Sequence, residues 1–270
     1  MDKKLQDKCL KVAVKAAHRG GAIALKYFRR LKNISQKVDA GLVSEADRDS
    51  EACIIRIVRK KFPHHRFLGE EGGLARGRGS ENEPLWVVDP LDGTTNYVHG
   101  FPFFCVSIGV EVLGEVEVAV IYAPLLKYTF TAQKGRGAFF NGRPIRVSMT
   151  EKIADSLLAT GFSYQKKNVL DQEIRDFSIL AEQSRGIRRA GSAALDLCMV
   201  AWGIFDGFWE RELSPWDTSA GALLVKEAGG VVTSFDGSPF RSSMRSILAG
   251  NPAIHSHLQQ IVNSKDSRSD

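Results

Sequence analysis

Apolar residues near the start of the chain fall at Leu5, Cys9, Val12, Ala13, Ala16, Ala17, Ala24 and Phe28. This spacing predicts a long amphipathic helix from residue 5 to about residue 30. Ser44-Glu45-Ala46-Asp47 has the form of a capping box, so a second helix is expected to open there and run to about residue 61. From 104 to 147 the pattern changes to extended strands, with turns at Leu113-Gly114, Pro124-Leu125 and Asn141-Gly142, which predicts a largely antiparallel sheet. A strand at 157–162 leads to a helix from about 170 to 184. Residues 192–202 and 215–228 read as two more helices, with a strand at 206–210 between them. Short strands at 231–233 and 247–249 precede a last helix at 254–264, and the end of the chain is expected to fray. No internal repeat or low-complexity linker interrupts the pattern, and 72–80 is its one long flexible stretch. Sheets interleaved with helix pairs imply a layered α/β or α+β protein.

Composition narrows the class. A chain of 270 residues can bury a large core, as one domain or two closely packed halves. No apolar stretch approaches the ~20 residues of a membrane helix, and the charged start, Met1 to Lys8, has no apolar segment after it. The four cysteines (Cys9, Cys53, Cys105, Cys198) are far apart and sit in apolar patterns, which points to buried thiols in a reducing, cytoplasmic compartment. The net charge of +6 is mild; scattered surface Lys and Arg account for much of it, and it favours an anionic substrate. The denser segments 56–61 and 185–189 lack the interleaved aromatics of a nucleic-acid platform.

The chemistry concentrates in Asp89-Pro90-Leu91-Asp92-Gly93-Thr94-Thr95-Asn96, where two carboxylates three residues apart follow the apolar run Leu85-Trp86-Val87-Val88. A Gly-Thr-Thr turn offers N–H groups and hydroxyls to a phosphate. Acids and a phosphate in so few residues repel unless a hard divalent cation lies between them. Gly69-Glu70-Glu71-Gly72 likewise places acids after a short apolar run, and Trp216-Asp217 opens a helix that ends at Glu227-Ala228-Gly229-Gly230. Glu70, Asp89, Asp92 and Asp217, with a carbonyl such as that of Leu91, would suit one or two Mg²⁺ ions, which take oxygen ligands.

Taken together and in this order, these three motifs resemble the inositol monophosphatase family, in particular its bacterial, SuhB-like branch, over nearly the whole chain. The resemblance implies a five-layered αβαβα sandwich over residues 1–270, with halves at about 1–150 and 151–270, usually a homodimer. It implies a Mg²⁺-dependent phosphatase acting on myo-inositol monophosphate, with two or three ions per site and sensitivity to lithium. Glu70, Asp89 and the Leu91 carbonyl would hold the first ion, and Asp89, Asp92 and Asp217 the second. Glu70 would also help place a third through water. Thr94 would bond the attacking water, oriented in turn by Asp47, while Gly93, Thr94 and Thr95 would bind phosphate oxygens. Ala193, Glu210 and Asp217 would face the substrate.

Relatives built on the same framework cleave fructose 1,6-bisphosphate, histidinol phosphate, NADP or 3′-phosphoadenosine phosphates. The rim at Glu210, Arg211 and 191–193 would decide among these. SuhB-like proteins also serve as RNA-polymerase or transcription partners, a role the resemblance leaves open. Several residues have two readings. Asp47 and Glu210 also suit a plain cap and a strand-end acid paired with Arg211. Glu71 could assist the metal or be an exposed acid, and Lys37 could be the family's loop lysine or an ordinary solvated one. Gly41 replaces a common Asp and Ser44 a Thr. The histidines at 64, 65, 99, 255 and 257 are expected on the surface or in loops, and Trp86, Phe101, Phe103 and Phe104 in the core.

Overall fold

Asp2 caps the first helix through a 2.8 Å bond from the Leu5 N–H, and α1 runs over Lys3–Tyr27. It stops three residues short of the predicted end, just before Arg29 takes a left-handed φ of 59°. The computed structural model describes residues 1–31, 34–37, 41–75, 80, 82–163 and 167–263. Positions 76–79 of the expected flexible stretch, the side chain of Lys37 and the C-terminal residues 264–270 lie outside the described set.

After α1 come an antiparallel pair, β1 (Ile34–Lys37) and β2 (Gly41–Ser44), and then α2 (Glu45–Lys61). The capping box forms as predicted, with Asp47 accepting from the Ser44 N–H at 2.8 Å. Next are β3 (Arg66–Gly69), β4 (Gly73–Ala75), β5 (Leu85–Asp92), a short α3 (Thr94–Val98), β6 (Cys105–Val112), β7 (Glu115–Ala123), β8 (Tyr128–Gln133), β9 (Ala138–Phe140) and β10 (Arg143–Ile145). The second half holds β11 (Leu157–Thr160), α4 (Lys167–Gln183), β12 (Gly186–Arg188), α5 (Ala193–Ala201), β13 (Gly207–Glu210), α6 (Pro215–Glu227), β14 (Val231–Thr233), β15 (Ile247–Gly250) and α7 (Pro252–Val262). The sequence pattern misses β1, β2, β4 and β12, which are too short to show a period.

Eight strands form one sheet in the order β10-β9-β8-β7-β6-β5-β3-β4, and five form a second in the order β12-β11-β13-β15-β14. The larger sheet is antiparallel except where β3 runs parallel to β5. Helices α1 and α2 cover its outer face, α5 and α6 fill the space between the sheets, and α4 and α7 cover the far side of the smaller sheet. This is a five-layered αβαβα sandwich.

Three layers of apolar packing hold it. Cys9, Ala13, Ala16 and Ala17 of α1 meet Trp86, Val88, Ile108 and Val120 of the large sheet. Small residues let α1 come close, since a Cβ at Gly20 would lie 2.7 Å from Ser50 Oγ and 2.9 Å from Ile54 Cδ1 of α2. The middle layer is apolar on nearly every side, as a helix buried on both faces must be. Leu158, Leu180, Trp209, Leu248, Ile254 and Leu258 form the third. Trp86 and Phe104 are in the core as expected, but Phe101 is 51% exposed. His255 is buried on α7 and shares a 2.9 Å hydrogen bond with Thr233 Oγ1, so it is neither a surface nor a loop histidine, whereas His65, in the loop before β3 as expected, accepts from Trp86 Nε1 at 3.0 Å.

Candidate active site

Because β3 and β5 are parallel, their pairing ends with Gly69 opposite Val88. Glu70, just past β3, therefore lies level with Asp89 of β5. Pro90 has no N–H to offer a neighbouring strand, and at that point β3 has already ended. Strand β5 nevertheless continues to Asp92, beyond the apolar run. Asp89 pairs with Ser107 and Asp92 with Cys105, so β5 advances three residues while β6 advances two. Residues three apart in a regular strand point to opposite faces. The extra residue of this bulge cancels the odd step and turns both aspartates toward α6, whose first turn carries Asp217. One carboxylate oxygen each from Asp89, Asp92 and Asp217 lies within 4.8 Å of the others.

Each of these acids has one oxygen tied to the protein. Asp89 Oδ1 accepts from the Leu91 N–H at 2.8 Å, and Asp217 Oδ2 accepts from the Ser214 N–H at 2.7 Å, as the third residue of α6 reaching back to its cap. Asp92 Oδ2 takes three donors: the Ser192 hydroxyl, the Ala194 N–H at 3.0 Å and the Cys105 thiol at 3.7 Å. Ser192 is itself the N-cap of α5. The middle helix layer thus fixes the carboxylate of a strand in the sheet beneath it.

Asp89 and Asp92 are 2% and 8% exposed. Burial pushes the Asp89 carboxyl well above the usual carboxylate range, and the charges of Glu70, Asp92 and Asp217 push it further. Burial also raises Asp92, against the hydrogen bonds from Ser192, Ala194 and Cys105. Such a cluster must take up protons or a cation. Its donors are all carboxylate oxygens, with neither His nor Cys among them, which suits a hard, oxygen-seeking ion such as Mg²⁺. Glu70 stands outside the triad of converging oxygens, although its charge is felt by Asp89 and Asp47.

Thr94, the first residue of α3, lies between these acids and α2. Its hydroxyl is 3.3 Å from Asp47 Oδ1 and 3.1 Å from the Leu91 carbonyl oxygen. Asp47 Oδ2 meanwhile accepts from the Ser44 N–H and hydroxyl. The two readings of Asp47 therefore coexist: it caps α2 and reaches Thr94. Burial raises Asp47 to about 6. Gly93 has a φ of 90°, and a Cβ there would stand 2.9 Å from the Phe103 carbonyl oxygen. Thr95 is exposed beside it. Asn96 Nδ2 donates to the carbonyls of Phe103 and Ala190 at 2.7 and 2.8 Å, which ties this turn to the segment before α5.

Ala193 opens α5, and Glu210 closes β13. Burial lifts Glu210 to about 8; Arg189 opposes the rise, while Asp217 and Asp92 add to it. A Cβ at Gly161 would fall on the Glu210 carboxylate, so the glycine makes its room. Arg211 turns away from this pocket. It pairs with the buried Asp176 at 2.8 Å and stacks over Phe235 at 4.4 Å, which removes it from the expected rim and from Glu210.

Three contributors escape sequence reasoning. Glu51, one turn after Asp47 on α2, accepts from the Glu71 N–H at 3.0 Å, and a Cβ at Gly69 or Gly72 would strike its carboxylate. Its four-residue spacing from Asp47 is the signal available. Asp196 is a buried acid on the otherwise apolar α5, raised well above its usual range by burial and then by Glu210 and Asp92. Cys105 gives no sequence sign of its bond to Asp92.

Comparison with known proteins agrees with this geometry. The chain is 46% identical over 246 residues to the Nus factor SuhB of Pseudomonas aeruginosa, covering 90% of this chain and 91% of that protein. It is 43% identical over 255 residues to the inositol-1-monophosphatase of Synechocystis sp., covering 94% and 88%. The crystal structure of the extragenic suppressor protein suhB from Bartonella henselae superposes with a TM-score of 0.90 at 39% identity, over 95% of this chain and 99% of that one. The profile of the inositol monophosphatase family matches residues 5–267. The chain belongs to the inositol monophosphatase family, a family of metal-dependent phosphatases.

Proposed function

We propose that this protein is a Mg²⁺-dependent phosphomonoesterase that releases phosphate from myo-inositol monophosphate. The observation that carries the reading is the convergence of Asp89, Asp92 and Asp217 beside the Thr94–Asp47 pair. In this reading Asp89, Asp92 and Asp217, with Glu70 and the Leu91 carbonyl, hold two or three ions. Magnesium there would neutralise phosphate charge and make a bound water more acidic. Thr94 directs its hydroxyl hydrogen to Asp47 or to the Leu91 carbonyl and so offers a lone pair to the attacking water. Asp47, with a pKa of about 6, is ionised at neutral pH and can draw a proton through Thr94. The N–H groups of Gly93, Thr94 and Thr95 would receive phosphate oxygens, with Ala193 lining the pocket beside them. Glu210 would hydrogen-bond a polyol hydroxyl, and once ionised, above about pH 8, it would also repel a second phosphate. We place the protein in the cytoplasm as a homodimer. Among the described residues no helix is long and apolar enough to cross a membrane.

The relatives named Nus factor SuhB support a second role, as a transcription partner. Asp89→Asn separates the two: loss of phosphate release with an intact cellular phenotype would assign that phenotype to the partner.

The direct test is phosphate release with Mg²⁺ from myo-inositol 1-phosphate, glycerol 2-phosphate, fructose 1,6-bisphosphate, NADP and 3′-phosphoadenosine 5′-phosphate. Preference for the inositol ester, abolished in Asp92→Asn and inhibited by millimolar Li⁺, is expected. Preference for a nucleotide or bisphosphate would overturn the substrate, and inactivity on every ester would overturn the enzyme reading.

A further inference from the structure

The outer helical layer carries a charge pattern that catalysis does not use. Residues 1–61 hold sixteen Lys and Arg against seven Asp and Glu, an excess of nine, whereas the whole chain holds 37 against 31, an excess of six. Residues 62–270 therefore carry three more acids than bases, and the net positive charge of the molecule originates in α1, α2 and the segment joining them. On α1, Lys4, Lys8, Lys11, Lys15 and Arg19 are all exposed. They recur after four, three, four and four residues, which puts them on one face of the helix. At 1.5 Å per residue the stripe is about 22 Å long.

None of the five forms an ion pair with a described carboxylate. The one acid nearby on α1, Asp7, is engaged by Arg136 at 2.5 Å and by Gln133 at 3.0 Å. Exposed Arg56, Arg59 and Lys60 extend the basic surface onto α2, which packs against α1.

Helix stability does not account for the stripe. The first turn of α1 contains no acid, although cations at that end oppose the helix dipole. Like charges four residues apart also repel. A merely solvated helix face mixes signs along its length, whereas here a single acid, Asp7, stands beside five bases.

The pattern also selects among polyanions. The apolar side of α1 is spent on the core through Cys9, Ala13, Ala16 and Ala17, so the helix has no apolar face to lay into a bilayer. Along the stripe no Phe, Tyr or Trp is exposed, and the exposed ring of His18 is already stacked on Tyr122 at 4.0 Å, which leaves little surface for base stacking. A straight row of cations spaced by about one helical turn can follow one extended strand phosphate by phosphate, whereas the strands of a stiff duplex wind away from it. We propose that this face of α1 is a docking track for the phosphodiester backbone of a single-stranded nucleic acid, held without reading its bases. The proposal is independent of the substrate assigned to the active site.

The test is fluorescence anisotropy with labelled 20-nucleotide oligouridylate and oligodeoxythymidylate, titrated with the full chain from 50 to 200 mM salt. Both should bind alike, with log K falling against log salt at a slope near −3.5 for about five phosphate contacts. The triple variant Lys8→Gln, Lys11→Gln, Lys15→Gln should flatten that slope by about 2 and bind about 10²-fold more weakly at 50 mM salt. Its circular dichroism and phosphatase rate should match those of the parent. Unchanged affinity and slope in the triple variant would overturn the proposal. So would co-sedimentation with phosphatidylserine vesicles without binding to either oligonucleotide, which would make the face a membrane contact.

Discussion

Asp92 shows how a single carboxylate is aimed. Three donors converge on its Oδ2 from β6 and from the start of α5, so the carboxylate cannot rotate without breaking bonds in two layers. Ser192→Ala removes the hydroxyl donor and leaves the N–H and the thiol. Partners of this kind change metal affinity or activity by about 10–100-fold, so the Mg²⁺ concentration for half-maximal activity should rise by that factor while the fold, read by circular dichroism, stays the same. Asp92→Asn removes the proposed ligand itself and should cost far more rate than Asp47→Asn, which alters the group behind Thr94. Rates in the opposite order would exchange the two roles. At this scale the residues the structure brings together, Asp89, Asp92 and Asp217, and Thr94 beside Asp47, were legible because they lie in compact motifs. What the sequence could not show was their support. Glu51, Cys105 and Asp196 act through space, and apart from the spacing of Glu51 from Asp47 nothing in their neighbours along the chain announces it.

At the scale of elements, the fold depends on close approach between the two central helices. A Cβ at Gly221 of α6 would lie 2.7 Å from Leu197 Cβ of α5, a distance that moving the end of a side chain cannot relieve. Gly221→Ala should therefore separate α5 from α6, at a cost of about 1–3 kcal/mol. α5 supplies the hydrogen bonds to Asp92 and α6 supplies Asp217. The variant should consequently lose Mg²⁺ affinity as well as thermal stability, whereas a purely local strain would lower the melting temperature alone. Long elements were readable: α2, α5, α6 and the hairpins of the large sheet follow from caps, period and turns. Asn141-Gly142 indeed forms its turn with φ of 46° and 78°. The short strands β4 and β12 were not readable, since three residues carry no period and their existence depends on a neighbour to pair with. Nor was the bulge at Asp89–Asp92, which depends on register with β6 and yet decides whether the two aspartates can meet.

At the scale of the whole molecule, the raised carboxyls set how stability varies with pH. Burial lifts Glu210 to about 8 and Asp47 to about 6, and it holds Asp89, Asp92 and Asp196 above their usual range. A carboxyl whose folded pKa exceeds its unfolded value binds more protons in the native state, so its contribution to stability is complete below the unfolded pKa and is lost as pH rises through the folded one. His18, His65 and His255 act in the opposite sense, being lowered by burial, and their contribution falls away only below about pH 6.5. Below that pH the two trends offset each other; above it the carboxyls lead, and toward pH 8.5 the buried thiols of Cys9, Cys105 and Cys198, raised by burial, add to the loss. The metal-free protein, kept in EDTA, should therefore melt at progressively lower temperature from pH 6.5 to 8.5, by roughly 5 °C for a chain of this size. In the proposed reading Mg²⁺ binds the ionised acids of the native site and not the unfolded chain, so adding it should raise the melting temperature more at pH 8.5 than at pH 6.5 and level the profile. A profile that falls equally with and without Mg²⁺ would mean that the raised acids are not the ones that hold the ion. One that is flat in EDTA would mean that the acid cluster is already neutralised from within the protein.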